Sequence, residues 1–337
     1  MSDGLVGKVL VTGGAGYIGS HLVEALVAGG HSVRVLEKPG TVVDHLPLDR
    51  IEIVEADIRD REAVVLAAKD CEWVLHLAAN PNLWAPSPEV FEAVNHQGTR
   101  HVLEAARLAG SLRVVHVSTE SILASATGSA VITEQTRTSL DDMIGPYCRS
   151  KWLAEEAAYE AAQLDQPVVI VSPTVPVGPG DRVLTPISRL IRDFCNRRVR
   201  GYLEGDINFV DVRDVARGIV AAARTGDVGH RYLLAAEDWK ILDFLRLLSD
   251  RTGIPAPTWR VPFPLALGFA HAEEWFGSVT GRVPMSTVTG VKLTQRTFRF
   301  DGSESARALG IEPLASCTDA IDDALDWYRA LGRLTDD

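Results

Sequence analysis

Lysine is scarce in this chain, with six among 337 residues, so 28 arginines carry most of the positive charge. Lysine and arginine together number 34 against 45 acidic residues, a formal charge of −11 that excludes a generally basic nucleic-acid surface. Cysteine is equally thin. Cys71, Cys148, Cys195 and Cys317 show no CxxC spacing, cannot build a disulfide framework, and read as reduced thiols of a cytoplasmic protein. The nine histidines form no HExxH or other zinc-ligand pattern, so no metal is expected. No apolar run reaches the roughly eighteen residues of a membrane span, and glycines interrupt the opening MSDGLVGKVLVTGGAGYIGS before it can resemble a signal peptide. Integral membrane association is therefore not expected.

What is present is a chain of 46% hydrophobic residues, enough for one large core or two unequal ones. Its first half alternates short β-rich runs with amphipathic stretches. Strands are expected at Lys8–Thr12, His31–Leu36, Ile51–Glu55, Trp73–Leu77, Arg113–Val117 and Pro167–Val171. Helices are expected at Ser20–Ala28, Ala63–Ala68, Pro88–Ala109 and Tyr147–Leu164. That alternation predicts an α/β fold, a Rossmann-type doubly wound parallel sheet covered on both faces. The pattern changes near Gly178-Pro179-Gly180-Asp181. A nucleotide-binding domain is expected over 1–178, with return segments at about 206–235, and 179–337 reads as a smaller, predominantly substrate-binding domain at the carboxyl ends of the strands.

Chemistry concentrates at two places. The run Gly13-Gly14-Ala15-Gly16-Tyr17-Ile18-Gly19 follows a strand and opens a helix: Gly13 allows the sharp strand exit, Gly16 the close approach of a pyrophosphate, and Gly19 close packing of helix on sheet. Glu37 ends the next strand, where it can accept both adenosine-ribose hydroxyls and repel a phosphate placed there, favouring NAD over NADP. Lys38 beside it opposes that preference. Tyr147 and Lys151, four residues apart, share one helix face, where the lysine can lower the phenol's pKa and make it a base toward a substrate hydroxyl. Thr119, just past a strand, can hydrogen-bond the same substrate oxygen. Taken singly, each feature has a bland alternative: an ordinary glycine turn, or a tyrosine and lysine that are surface neighbours.

Together with HLAA at His76–Ala79, Asn95 followed by Gly98-Thr99, Ser118-Thr119, YCRSK at Tyr147–Lys151 and the GPGD turn, these motifs resemble the extended short-chain dehydrogenase/reductase family over nearly the whole chain. NLWAPSPEVFEAVNHQGT, LDDMIGPYCRSKWLAE and PTVPVGPGD resemble its hopanoid-associated sugar epimerase group and dihydroflavonol-reductase-like relatives. The resemblance implies that Asp57 and Ile58 flank adenine and that Ala78 and Asn80 lie along the nucleotide. Tyr17, Ile18, Leu77, Ala79 and Asn95 complete that part of the cofactor site, while Pro173, Thr174 and Val175 approach nicotinamide. It also places Thr119, Tyr147 and Lys151 as the catalytic group, with Tyr147 and Lys151 also touching NAD, and implies a four-helix homodimer. Where sugar-nucleotide dehydratases of the family follow the threonine with Asp-Glu, this chain has Glu120-Ser121, and the missing second carboxylate argues against dehydration. The resulting expectation is an NAD-dependent oxidoreductase acting on an alcohol/ketone or sugar. An epimerase with a transient keto intermediate is the alternative, and a non-catalytic nucleotide-binding scaffold the third reading. Trp84, Met143, Phe209, Trp239 and Met285 are either a pocket wall or core. The arginines at 182, 189, 192, 197 and 198 are either a diphosphate grip or a solvated face.

Overall fold

The computed structural model describes residues 5–123, 131–296, 299–312 and 316–334. Along the chain come β1 (Lys8–Thr12), α1 (Tyr17–Ala28), β2 (Ser32–Glu37), β3 (Ile51–Glu55), α2 (Arg61–Ala68) and β4 (Trp73–His76). A short α3 (Glu89–Phe91) runs through a π-helical stretch (Glu92–Gln97) into α4 (Gly98–Ala109), followed by β5 (Arg113–Val117), α5 (Gly145–Gln163) and β6 (Val168–Pro173). Then come β7 (Val175–Val177), α6 (Pro186–Cys195), β8 (Asp206–Asp211), α7 (Val212–Thr225), β9 (Arg231–Leu234) and β10 (Glu237–Lys240). The chain ends with α8 (Ile241–Thr252), α9 (Phe263–Thr280), α10 (Val288–Leu293), α11 (Ser303–Leu309) and α12 (Cys317–Ala330).

The seven strands of the main sheet are all parallel, in the order β3-β2-β1-β4-β5-β6-β9. Period-two alternation sorts their side chains into two cores. Val9 and Val11 of β1 join Leu22, Val23 and Leu26 of α1 and Val215 and Ile219 of α7. Leu10 points the other way, to Val64 of α2 and Val102 of α4. The same split separates Val115 from Val114 and Val169 from Val168. Covering both faces lets these strands be continuously apolar, and each fully buried Val or Leu contributes roughly 1.5–3 kcal/mol. The chain leaves β1 for β2 on one side and reaches β4 on the other, so the order reverses beside β1. At such a reversal, open α/β sheets form their ligand crevice at the carboxyl ends of the strands.

The second half adds structure that periodicity did not announce. β7, β8 and β10 form a separate three-stranded sheet, parallel between β7 and β8 and antiparallel between β8 and β10. It packs with α6, α8 and α12 around Phe194, Phe209, Phe244, Ile321 and Tyr328. β6 passes into β7 through Pro173, Thr174 and Val175, so one backbone segment links the two sheets.

Candidate active site

The loop leaving β1 and the loop leaving β4 lie against each other at the crevice. Gly13 has φ +75°, and a Cβ there would meet the Ala78 backbone at 2.8 Å; at Gly19 it would meet the Gly13 carbonyl oxygen at 2.1 Å. Only glycine fits either position. Gly16 caps α1 without a side-chain hydrogen bond, which leaves the helix amino terminus open to a phosphate. Ala78 N–H donates to Thr12 Oγ1 at 3.2 Å, and Leu77 N–H to the Thr12 carbonyl at 3.0 Å. Glu37, buried at the end of β2, accepts from Ala15 N–H at 2.7 Å. Burial pushes its carboxyl above the usual range, while the Ala15 N–H and Lys38 pull it back. These features fit a dinucleotide: a glycine cradle, an uncapped helix terminus and a carboxylate one strand away.

Other members of the expected cofactor set have definite partners. Asp57 is gripped by Arg59, whose Nε lies 2.9 Å away and whose hydrogen bonds hold the carboxyl below its ordinary value. A Cβ on Gly98 would meet the Ile58 side chain at 2.6 Å, so Ile58 packs onto the start of α4. Tyr17 turns its hydroxyl away along the loop to the Gly178 carbonyl at 2.9 Å, tying α1 to the GPGD turn. Thr174 donates its hydroxyl to the Leu234 carbonyl at 3.2 Å. Asn95 is buried in the π-helical stretch. Its Oδ1 accepts from Asn80 N–H at 2.7 Å, and its Nδ2 donates to Ser150 Oγ at 2.9 Å. Ser150 Oγ in turn donates to the Tyr147 carbonyl at 2.8 Å, so hydrogen bonds connect the β4 loop to α5.

α5 begins at Gly145, at φ +71° with Thr289 where a Cβ would stand, and Pro146 occupies its first turn. Tyr147 and Lys151 follow one turn apart. Lys151 is buried and donates from Nζ to the Val117 carbonyl at 2.8 Å; burial lowers its pKa to about 8. The Tyr147 ring meets Phe91 edge-on, with centroids 6.3 Å apart. Burial first, then the charge of Glu120, pushes the phenol pKa up, and hydrogen bonding from Thr119 and Ser121 pulls it back. The expected lowering by Lys151 is not among the main influences on the phenol, of which desolvation of the phenolate is the largest. Thr119 Oγ1 donates to Glu120 Oε2 at 3.0 Å and lies 2.8 Å from Ser121 Oγ. Burial raises the Glu120 carboxyl to about 7. Beneath this group His76 is held between Thr12 Oγ1 at 2.7 Å and Thr99 Oγ1 at 2.9 Å, and burial lowers its pKa to about 3.

The structure separates the other candidates. Phe209 packs against Trp239 and Phe244 in the second-half core, and Met143 is buried beside Ile122 and Leu123. Met285 is exposed. Arg192 pairs with Asp193 at 2.7 Å, Arg189 reaches Asn82 Oδ1 at 3.3 Å, and Arg182 sits over the Trp327 ring. They form no common grip. Sequence reasoning missed the Asn95–Ser150 link, for which the only signal was Ser150 inside YCRSK. It also missed the buried ion pair of Glu155 with Arg231, which joins α5 to β9.

Residues 9–235 match the profile of the NAD dependent epimerase/dehydratase family. The chain belongs to that family. Within it, the chain is an NAD-dependent enzyme of the extended short-chain dehydrogenase/reductase type. It is 34% identical over 326 residues to a Synechocystis sp. protein provisionally named dihydroflavonol 4-reductase, covering 96% of this chain and 94% of the relative. It is 32% identical over 333 residues to sterol demethylase protein B of Methylococcus capsulatus, covering 96% and 99%. A third relative, the 4-hydroxy-2-methyl-3-oxo-4-farnesyl-3,4-dihydroquinoline-1-oxide ketoreductase of Stigmatella aurantiaca, is 30% identical over 309 residues, covering 90% and 91%. Among solved structures, gox2253 superposes with TM-score 0.85 at 30% identity, covering 97% of this chain and 99% of that one. The dTDP-glucose 4,6-dehydratase DesIV of Streptomyces venezuelae, solved with NAD bound, gives 0.78 at 25% identity, covering 96% and 97%.

Proposed function

We propose that this enzyme interconverts a bulky, mostly apolar secondary alcohol and its ketone, with net oxidation or reduction of NAD. The carrying observation is the grouping of Tyr147, Lys151 and Thr119 beside the glycine cradle: α5 delivers the first two and the loop after β5 the third. Tyr147 Oη takes the hydroxyl proton during alcohol oxidation and returns it during ketone reduction. Thr119 Oγ1 exchanges its hydrogen bond to Glu120 for one to the substrate oxygen. Lys151, anchored on Val117, supplies positive charge close to the phenol and a donor to the cofactor ribose. Glu37 accepts the adenosine-ribose hydroxyls and sets a preference for NAD over NADP. When bound, NAD supplies the hydride acceptor. Residues 179–337 provide most of the substrate wall.

Net oxidoreduction is favoured over epimerisation because the relatives at 30–34% identity include proteins named as a reductase and a ketoreductase. Names such as sterol demethylase and the farnesylated dihydroquinoline compound support an apolar substrate. We further propose a homodimer through α4 and α5 and a cytoplasmic location. The latter is supported by four buried cysteines that form no disulfide and by the finding that, among the described residues, no helix is long and apolar enough to cross a membrane.

The test is a mass-spectrometric screen of metabolite pools incubated with protein and NAD, followed by absorbance of reduced NAD. A substrate that loses two hydrogens with matching cofactor reduction supports the proposal; an isomeric product without net cofactor change refutes it in favour of epimerisation. On the substrate found, Tyr147→Phe lowers turnover by about 100-fold or more while NAD binding, followed by calorimetry, is kept. Wild-type turnover in that variant overturns the role of Tyr147.

A further inference from the structure

Helix α9 is built inside out. Leu265, Phe269, Ala272, Phe276 and Val279 recur at spacings of four, three, four and three, which aligns them in one stripe along an 18-residue helix about 27 Å long. That stripe faces outward. Leu265, Phe269, Trp275, Phe276 and Val279 on the helix, and Met285 just beyond it, are 47–71% exposed. The buried positions are instead the small ones, Ala266, Ala270 and Gly277. The two acids of the helix are also used locally: Glu273 accepts from Met285 N–H at 3.0 Å and Glu274 from Val288 N–H at 2.7 Å. An apolar face of this kind on a soluble surface marks an interaction site.

Charge and position identify what covers it. From Trp259 to Arg296 the sequence holds four basic residues and two acidic ones, in a chain of net charge −11. Both acids are half-buried and accept backbone hydrogen bonds, whereas Arg282 and Lys292 are exposed. The net charge accompanying the apolar stripe is thus basic. The helix also connects toward the proposed active site, directly at Trp84 and through α10, which packs against it. A Cβ on Gly277 would touch Trp84, one on Gly290 would touch Leu83, and Thr289 fills the space beside Gly145, two residues before Tyr147.

We propose that the α9 face is a docking surface for an anionic lipid bilayer, lying in the interface with Phe269, Trp275 and Phe276 among the acyl chains and Arg282 and Lys292 at the headgroups. Aromatic and aliphatic anchors beside basic residues are the chemistry of helices that lie on a membrane without crossing it. In that orientation α9 lies between the bilayer and Trp84, and α10 carries the contact on to the Gly145 turn before Tyr147. The benefit to catalysis rests on the apolar substrate proposed above: such an alcohol dissolves in the membrane and passes to Tyr147 without crossing water.

The test uses the full chain with vesicles of phosphatidylcholine, alone or mixed with an equal part of phosphatidylglycerol, separated by flotation. The protein floats with the vesicles, more so with phosphatidylglycerol. Phe269→Ser combined with Phe276→Ser cuts the floating fraction about tenfold, and Arg282→Glu removes the phosphatidylglycerol dependence. Both side chains lie at the surface, and an unchanged NAD titration certifies the fold. Wild-type protein that fails to float with either vesicle overturns the proposal. So does a double variant that floats normally, or one that instead changes oligomeric state by light scattering, which assigns the face to a second copy. Flotation is measured without substrate, so its failure leaves the proposed reaction standing, and an inactive substrate screen leaves flotation standing.

Discussion

Glu120 offers a direct check on how burial sets the chemistry of this cleft. Its carboxyl is raised from 4.5 to about 7, with burial as the leading cause. A folded value above the unfolded one means that the native state holds an extra proton between those pH values. The stability this group contributes is therefore complete below pH 4.5 and is lost as pH rises through about 7. The full shift would amount to about 3 kcal/mol; because the residue keeps some solvent exposure, about 1–3 kcal/mol is expected. Glu120→Gln cannot titrate and removes that slope. His76 and His116 act in the opposite sense, since burial depresses both: their contribution is present above pH 6.5 and falls away as pH drops. They are common to both proteins and largely cancel in the difference. Urea unfolding of wild type and Glu120→Gln across this range should show wild type losing about 1–3 kcal/mol relative to the variant. A second readout is kinetic. The Glu120 charge also raises the Tyr147 phenol, so the variant should move the rise of alcohol-oxidation kcat/KM to lower pH. Parallel stability curves together with an unshifted profile would refute the reasoning.

Glu37→Gln removes the carboxylate proposed to meet the adenosine ribose; calorimetric titration should show an NAD preference of about tenfold, ~1.4 kcal/mol, shrinking toward parity. Glu155→Ala leaves the Arg231 guanidinium buried without its carboxylate and should cost about 3–5 kcal/mol in urea unfolding, of which joint replacement with Arg231→Met recovers a large part. Light scattering over the micromolar range should find a dimer, and a persistent monomer excludes a stable four-helix assembly.

The main sheet was legible because its strands are buried on both faces. Runs such as Lys8-Val9-Leu10-Val11-Thr12 need no alternation to declare themselves, and glycines mark where they stop. The second sheet gave no such signal. Glu237-Asp238-Trp239-Lys240 is half exposed, four residues long, and separated from β9 by only two residues. It becomes a strand through its antiparallel partner β8, which lies far away in sequence. α9 escaped for a related reason. Its large residues face outward and its small ones inward, so the expected apolar-in pattern is reversed, and Pro264 and Gly268 disguise its extent.

At the site, spacing reported what lies along one element but not what burial and neighbouring elements do to it. Tyr147 and Lys151 were visible as a pair because a four-residue step is one helical turn. The direction of the phenol's shift was not visible, since it depends on desolvation and on Glu120, which arrives from the loop after β5. Asn95 makes the same point geometrically. The six-residue π-helical stretch alters the helical phase, so the face read from ordinary α-helical periodicity does not give the direction of residue 95. In the structure that residue bridges Asn80 and Ser150, on two different elements. Motif likeness could name Asn95; its task of linking the loop after β4 to the helix of Tyr147 follows only from the hydrogen bonds.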